Sequence, residues 1–371
     1  MIIQPYMPHH ANGVESERRL EEMLTALPQD ADAFQRSCRA VDDWTALFAT
    51  ASLHGVEEFL FRQLPKETSI LPQRIRQDLE ARRLCKAAWM LHLNALLDRA
   101  SDALAAAGVR SVAIKGPMLG ERLYGDSALR SSTDLDILIA YGDLPRALEA
   151  FTSIGYAADE KTVADALRGD HNVALIGPTP PVIEAHFHLF RRFGATLSSD
   201  DFMSRAVSYR SKRGRQVNVL SPEDEFLFLC VHLAAHHFIR LAWLFDLKLY
   251  LVRHADFDWD ALMARARRLK LVSAVAFTCE ILRQRLGVKT PMLEMLTARQ
   301  RMRLSINNYL FDRTMRMHNA PREAFRKKVS FLVTSNAYSA TLHDGVGAAL
   351  TYLGNNFWNV LNGRRPDPGD A

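Results

Sequence analysis

The stretch Arg130-Ser-Ser-Thr-Asp134-Leu-Asp136-Ile-Leu-Ile139 decides how this chain is read. Its alternation is that of a β-strand. Side chains of a strand point to opposite faces in turn, so Asp134, Asp136 and Leu138 share one face. Leu135, Ile137 and Ile139 share the other and face a core. Two carboxylates two residues apart on an apolar strand repel each other unless a cation neutralises them. A divalent ion is the natural partner. Hard cations such as Mg²⁺ take carboxylate oxygens and keep the rest of their shell for water and phosphates.

Val182-Ile-Glu184-Ala-His186-Phe-His188 is a second acidic strand. Alternation places Glu184, His186 and His188 on one face and Ile183, Ala185 and Phe187 on the other. If it pairs beside the first strand, Glu184 joins Asp134 and Asp136 as a third carboxylate. Three carboxylates hold two Mg²⁺ ions roughly 3.5–4 Å apart, one on a triphosphate and one on an acceptor hydroxyl. Glu184 is then a ligand of the second ion and a candidate base. Lys115-Gly116 lies between a strand and a helix candidate. Glycine lets backbone approach phosphate, and a helix N-terminus offers free N–H groups. Lys115 adds a point charge for a phosphate, and Arg130 is a candidate bidentate clamp. The alternatives are ordinary: solvated acids on an exposed strand, a surface lysine at a turn, and an arginine paired with Asp134 or Asp126.

Composition sets the limits. The chain has 371 residues, 48% hydrophobic and 24% charged, which suits a globular protein of two or three subdomains. A net charge of +5 agrees with an anionic substrate but is also the balance of many solvated basic surfaces. Cys38, Cys85, Cys230 and Cys279 form no CxxC pair, so the expectation is buried reduced thiols in a cytoplasmic protein. No secretory signal is expected at Met1–Val14 and no membrane span anywhere.

Along the chain, residues 1–107 read as a helical N-terminal region, loose at residues 1–14. Residues 108–220 read as strand–helix–strand–helix–strand–strand. Asp143 is expected to cap the helix that Pro145 opens, and residues 157–172 are read as a polar cover over the site. Residues 221–362 read as helical again, with breaks near 255–258, 287–291 and 319–321, and residues 363–371 as a disordered tail. His232 and His236 lie four apart on one helical face. His-Leu-Ala-Ala-His lacks the glutamate of a zinc-protease motif and has no third ligand in view. This face either lines the cleft opposite the carboxylates, with Asp246 orienting a histidine, or is structural. His186, His236 and Asp246 are therefore taken with Lys115, Gly116 and Arg130 as candidate nucleotide-binding residues. The run Arg265, Arg267, Arg268, Lys270 is read as a solvated helix face.

The ordered set Ile114-Lys-Gly-Pro117, Leu123-Tyr-Gly125, Arg130, Asp134-Leu-Asp-Ile-Leu138, a helix ending at Gly155-Tyr156, and Ile183-Glu-Ala-His186 resembles the uncharacterised nucleotidyltransferase family of the polymerase-beta-like superfamily. The likeness continues through Glu223-Asp224, His232–His237, Arg240–Asp246 and Asp258-Trp259, and covers about residues 85–270. It implies an α+β protein with a polymerase-beta-like nucleotidyltransferase core, Mg²⁺ dependence and an NTP donor. Asp134, Asp136 and Glu184 match the superfamily's metal carboxylates. One departure stands out: most of the superfamily has Gly-Ser at the first turn, where this chain has Lys115-Gly116. The expected activity is transfer of an NMP group from an NTP, ATP by default, to a hydroxyl of a small molecule or protein, with release of pyrophosphate. The alternative is a nucleotide-binding or regulatory module without turnover. An RNA-directed transferase ranks below both, because no long basic stripe with interleaved aromatics is present.

Overall fold

The two acidic strands lie side by side. A computed structural model describes residues 11–64, 70–192, 195–318 and 342–344. Four strands, β1 (Ser111–Ala113), β2 (Asp134–Ile139), β3 (Asn172–Leu175) and β4 (Val182–His186), form one mixed sheet in the order β1-β2-β4-β3. β1 is antiparallel to β2, β2 parallel to β4, and β3 antiparallel to β4. A parallel pair needs a long crossover between its strands. Here the crossover carries α7 (Leu144–Ser153), α8 (Glu160–Gly169) and β3.

Helices α1 (Ala11–Ala26), α2 (Ala31–Arg39), α3 (Trp44–Leu53), α4 (Glu57–Gln63) and α5 (Gln73–Ala106) precede the sheet, and α6 (Gly116–Tyr124) joins β1 to β2. Two small hairpins follow the sheet. One pairs β5 (His188–Arg192) with β6 (Ala195–Ser198), and after α9 (Ser199–Ser204) the other pairs β7 (Val207–Arg210) with β8 (Gln216–Val219). The remainder is helical: α10 (Pro222–Ala235), α11 (Leu241–Arg253), α12 (Trp259–Arg268), α13 (Val272–Leu286) and α14 (Ala298–His318). The architecture is mixed α+β.

Contacts gather the chain into two compact units: residues 55–191 with 196–225, and residues 1–54 with 192–195 and 226–371. In the sheet-bearing unit, Leu135, Ile137, Ile139, Ile183 and Ala185 are buried on the core face, as the alternation requires. Leu93, Leu97, Ala100 and Leu104 of α5 and Ala147, Ala150 and Phe151 of α7 belong to the same apolar cluster. Each large side chain so buried contributes about 1.5–3 kcal/mol. This face makes the register of β2 costly to change, because a slip by one residue would turn its aspartates into the core.

Several local expectations are corrected. Residues 157–172, expected as a polar cover, carry the helix α8, which Asp159 caps by accepting from Thr162 N–H at 2.6 Å and whose Ala166 joins the apolar cluster. Asp143 stands at the N-cap of α7 as expected, but its side chain makes no capping hydrogen bond; its carboxylate pairs with Arg146, after a 3₁₀ turn at Tyr141–Asp143. The two small hairpins after the sheet were not expected. Cys38, Cys230 and Cys279 are buried, but Cys85 is exposed on α5. No described helix is long and apolar enough to cross a membrane. The loose start expected at residues 1–14 is corrected at 11–14, which open α1, while residues 1–10, the break near 319–321 and the tail at 363–371 lie outside the described residues.

The helical unit buries polar groups where they finish helix ends. Lys248 Nζ donates to the carbonyls of Leu24 (2.9 Å) and Thr25 in the last turn of α1, which have no partner within the helix. His54 Nδ1 accepts from Leu241 N–H at 3.3 Å. Burial, helped by Arg285 and Arg240 against the pull of Glu17, lowers the His54 imidazole to about 4. The folded value lies below the unfolded one near 6.5, so folding favours neutral His54. Its contribution is full above pH 6.5 and is lost as pH falls towards 4, by roughly 3 kcal/mol at most. We expect His54→Gln to flatten the loss of thermal stability between pH 6.5 and 4.5. An unchanged pH profile in the variant would refute this role.

Candidate active site

Register brings the acids together. Asp136 pairs with Glu184 across the parallel β2–β4 ladder, and Asp134 pairs with Val182 one step nearer the loop. Side chains at paired positions of neighbouring strands share a face. Asp136, Glu184 and His186 each present a ligand atom within 4.8 Å of the others. Asp134 stands beside this trio on the same strand face and is more exposed.

Asp136 is only 1% exposed and needs countercharge. Lys115 Nζ lies 3.0 Å from its Oδ1, and His186 Nε2 lies 3.0 Å from the same oxygen. His186 Nε2 is also 3.4 Å from Glu184 Oε2, so the imidazole bridges two carboxylates. Asn172, opposite His186 on β3, donates to Glu184 Oε2 at 2.7 Å and fixes that side chain. Asn172 was not singled out in the sequence. Its signal was a polar residue at the start of a strand that pairs with the acidic one.

Charges here are set by burial against mutual attraction. Burial alone would raise the Asp136 carboxyl, but Lys115 and His186 outweigh it and hold the group well below the usual carboxylate range. Burial alone would lower Lys115 and His186. Asp136 leads the groups that outweigh it for both, and each is held above its ordinary value. Asp134 goes the other way. Burial and then the charge of Asp136 push it up to about 6, with Lys115 and Arg130 opposing. Two neighbouring acids thus have opposed environments, a pattern that recurs at catalytic sites.

The loops supply the remaining candidates. Lys115 precedes α6 with φ 54°, an uncommon conformation for a residue with a side chain, and Gly116 follows at φ 52°. The Lys115 side chain makes no capping hydrogen bond to α6, and Pro117 has no N–H, so Gly116 and Met118 carry the first N–H donors of the helix. Arg130 is buried just before the acidic strand, and its charge acts on Asp134. Trp89 Nε1 donates to the Ser132 carbonyl at 2.8 Å, and Ser132 Oγ to the Asp134 carbonyl at 3.2 Å, so the loop into β2 is held from two sides.

His188 departs from its expected place. β4 ends at His186, and both Phe187 N–H and His188 N–H donate to the His171 carbonyl. That turn breaks the alternation, and the His188 ring stacks on Tyr141 at 5.4 Å. His236 and Asp246 belong to the helical unit. His236 packs against His232 (4.5 Å between ring centroids) and Trp243 (5.4 Å), and Asp246 is fully buried in α11.

A family described as uncharacterised nucleotidyltransferase matches residues 41–287, about two thirds of the chain. The chain belongs to this family. No match was found among curated proteins or among solved structures.

The raised Asp134 carboxyl has a consequence for stability. Its folded value near 6 lies above the unfolded value near 4, so the ionised group opposes folding increasingly as pH rises through that window. In metal-free protein, Asp134→Asn is expected to raise stability at pH 7 by on the order of 2 kcal/mol, with the gain gone near pH 4. Urea denaturation at the two pH values measures it, and equal stability of variant and wild type at pH 7 would count against the raised value.

Proposed function

We propose that this chain is a metal-dependent nucleotidyltransferase with a polymerase-beta-like core. It moves an NMP group from an NTP, with ATP the default donor, to a hydroxyl of a small-molecule or protein acceptor in the cytoplasm. The observation that carries the reading is the in-register Asp136–Glu184 pair, with Lys115 Nζ 3.0 Å from Asp136. Family membership supports the reaction class.

The donor set suits a divalent cation: carboxylate oxygens converge, and Asn172 orients one of them. Asp134, Asp136 and Glu184 are assigned to two Mg²⁺ ions. When bound, the ions supply neutralisation of the triphosphate and of the attacking and leaving oxygens. The rest falls to side chains and backbone. Lys115 offers its ammonium to the outer phosphates, and the N–H groups that open α6 receive phosphate oxygens over Gly116. Arg130 clamps a phosphate oxygen and keeps Asp134 charged as the anionic substrate arrives. His186 holds Asp136 and Glu184 in place. Glu184 accepts the proton of the acceptor hydroxyl. The acceptor oxygen forms a bond to the α-phosphorus, the bond to the β-phosphate oxygen breaks, and pyrophosphate leaves. Positioning and charge neutralisation do most of this work.

Lys115 at the turn where most of the superfamily has Gly-Ser favours a second reading, a nucleotide-binding or regulatory module that does not turn over.

Calorimetric titration of each Mg-NTP into wild type and into the Asp134→Asn/Asp136→Asn double variant tests the site. Saturable, metal-dependent binding in the wild type and its loss in a folded double variant is expected. Equal binding by both proteins would place the nucleotide elsewhere.

A further inference from the structure

The trio that the sheet assembles is not all oxygen. Asp136 Oδ1, Glu184 Oε2 and His186 Nε2 converge, and His186 is 2% exposed. Its backbone is pinned between two strands, paired with Leu138 on one side and Asn172 on the other. The imidazole is confined to the carboxylate side of the sheet, where Nε2 lies 3.0 Å from Asp136 and 3.4 Å from Glu184. Two atoms at neighbouring corners of an octahedral shell with bonds of about 2.1 Å stand about 3.0 Å apart. The observed separations suit a shared ion as well as they suit hydrogen bonds.

We propose that His186 Nε2 is itself a ligand of the metal site, with Asp136 and Glu184, and that this nitrogen sets the site to prefer a first-row transition ion such as Mn²⁺ over Mg²⁺. The inference rests on the metal reading above and deepens it, since Asp134, Asp136 and Glu184 alone would be an oxygen-only set. Mg²⁺ is bound through oxygen and water, and imidazole suits the later ions. Asp134 then stands outside this shell and is left for a second ion or for substrate. His186 Nδ1 is buried and has no hydrogen-bond partner among the described residues. The outer partner that ordinarily strengthens a histidine ligand is therefore missing, and the affinity is expected to be moderate.

The probe is Mn²⁺ alone, added to the whole chain and followed by electron paramagnetic resonance, with Mg²⁺ as competitor. Protein labelled with ¹⁵N only in histidine identifies the nitrogen. Wild type is expected to bind Mn²⁺ more tightly than Mg²⁺, by a margin that His186→Gln largely removes. Its spin-echo spectrum is expected to carry a directly bound histidine-nitrogen signal. His186→Gln should lose that signal and most of the preference. Bound Mn²⁺ with no histidine nitrogen in wild type overturns the inference and leaves the metal site standing; this arm needs no variant to fold. A histidine-nitrogen signal that persists in folded His186→Gln assigns the ligand to another histidine and also overturns it. No Mn²⁺ or Mg²⁺ binding by folded wild type removes the metal reading itself.

Discussion

An ionised carboxylate inside a β-sheet is the constraint on which the site depends. Asp136 is almost wholly buried, and leaving it unpaired there would cost several kcal/mol. Lys115 and His186 meet it at 3.0 Å each. Their positions are not local accidents. Lys115 is delivered by a turn with two successive left-handed residues between β1 and α6, and His186 by the parallel pairing of β4 with β2. Removing either partner leaves a buried charge with half its compensation. The backbone strain at Lys115 is plausible in energetic terms only because the ion pair and the helix it precedes hold that conformation.

The same constraint explains the division of labour between the two aspartates. They are two residues apart on one strand face, yet Asp136 is held ionised and Asp134 is pushed towards protonation near neutral pH. The difference lies in what surrounds each of them. Asp136 has Lys115 Nζ and His186 Nε2 on one oxygen; Asp134 has burial and the repulsion of Asp136, opposed by Lys115 and Arg130. A site that concentrates acids in this way gives up stability that an apolar or amide substitution would return, as is common where charge is kept for chemistry. The apolar face of the same strands supplies the compensation: Leu135, Ile137, Ile139, Ile183 and Ala185 lock the register that puts the acids where they are.

Much of this was legible in the sequence because it rests on period-two alternation. Asp134-Leu-Asp-Ile-Leu-Ile139 and Ile183-Glu-Ala-His186 state their two faces outright, and the Lys115-Gly116 turn shows in its neighbours. What could not be read depends on contacts between segments or on short-range capping. The role of His186 as a bridge required knowing that β4 lies parallel to β2 and in which register. Asn172 became meaningful only once β3 was paired opposite His186. Alternation alone carries the strand face on to His188, but the His171 carbonyl takes the N–H groups of Phe187 and His188 at the turn, and the His188 ring lies on Tyr141. The α8 helix was missed because its residues are polar on most sides, and Asp159 as its cap outweighs the weak apolar stripe. The small hairpins after β4 are four or five residues per strand, too short for alternation to stand out.

Transfer of a nucleoside monophosphate is the chemistry proposed for the carboxylates of β2 and β4. The most direct test follows the label rather than the binding. The protein is incubated with a divalent ion, a pool of small-molecule and protein acceptors, and NTPs labelled at either the α- or the γ-phosphate. A product that carries the α-label, with pyrophosphate released in equal amount, is expected from wild type and not from Asp136→Asn. Transfer of the γ-label with release of NDP would contradict it, because the site would then be performing phosphoryl rather than nucleotidyl transfer.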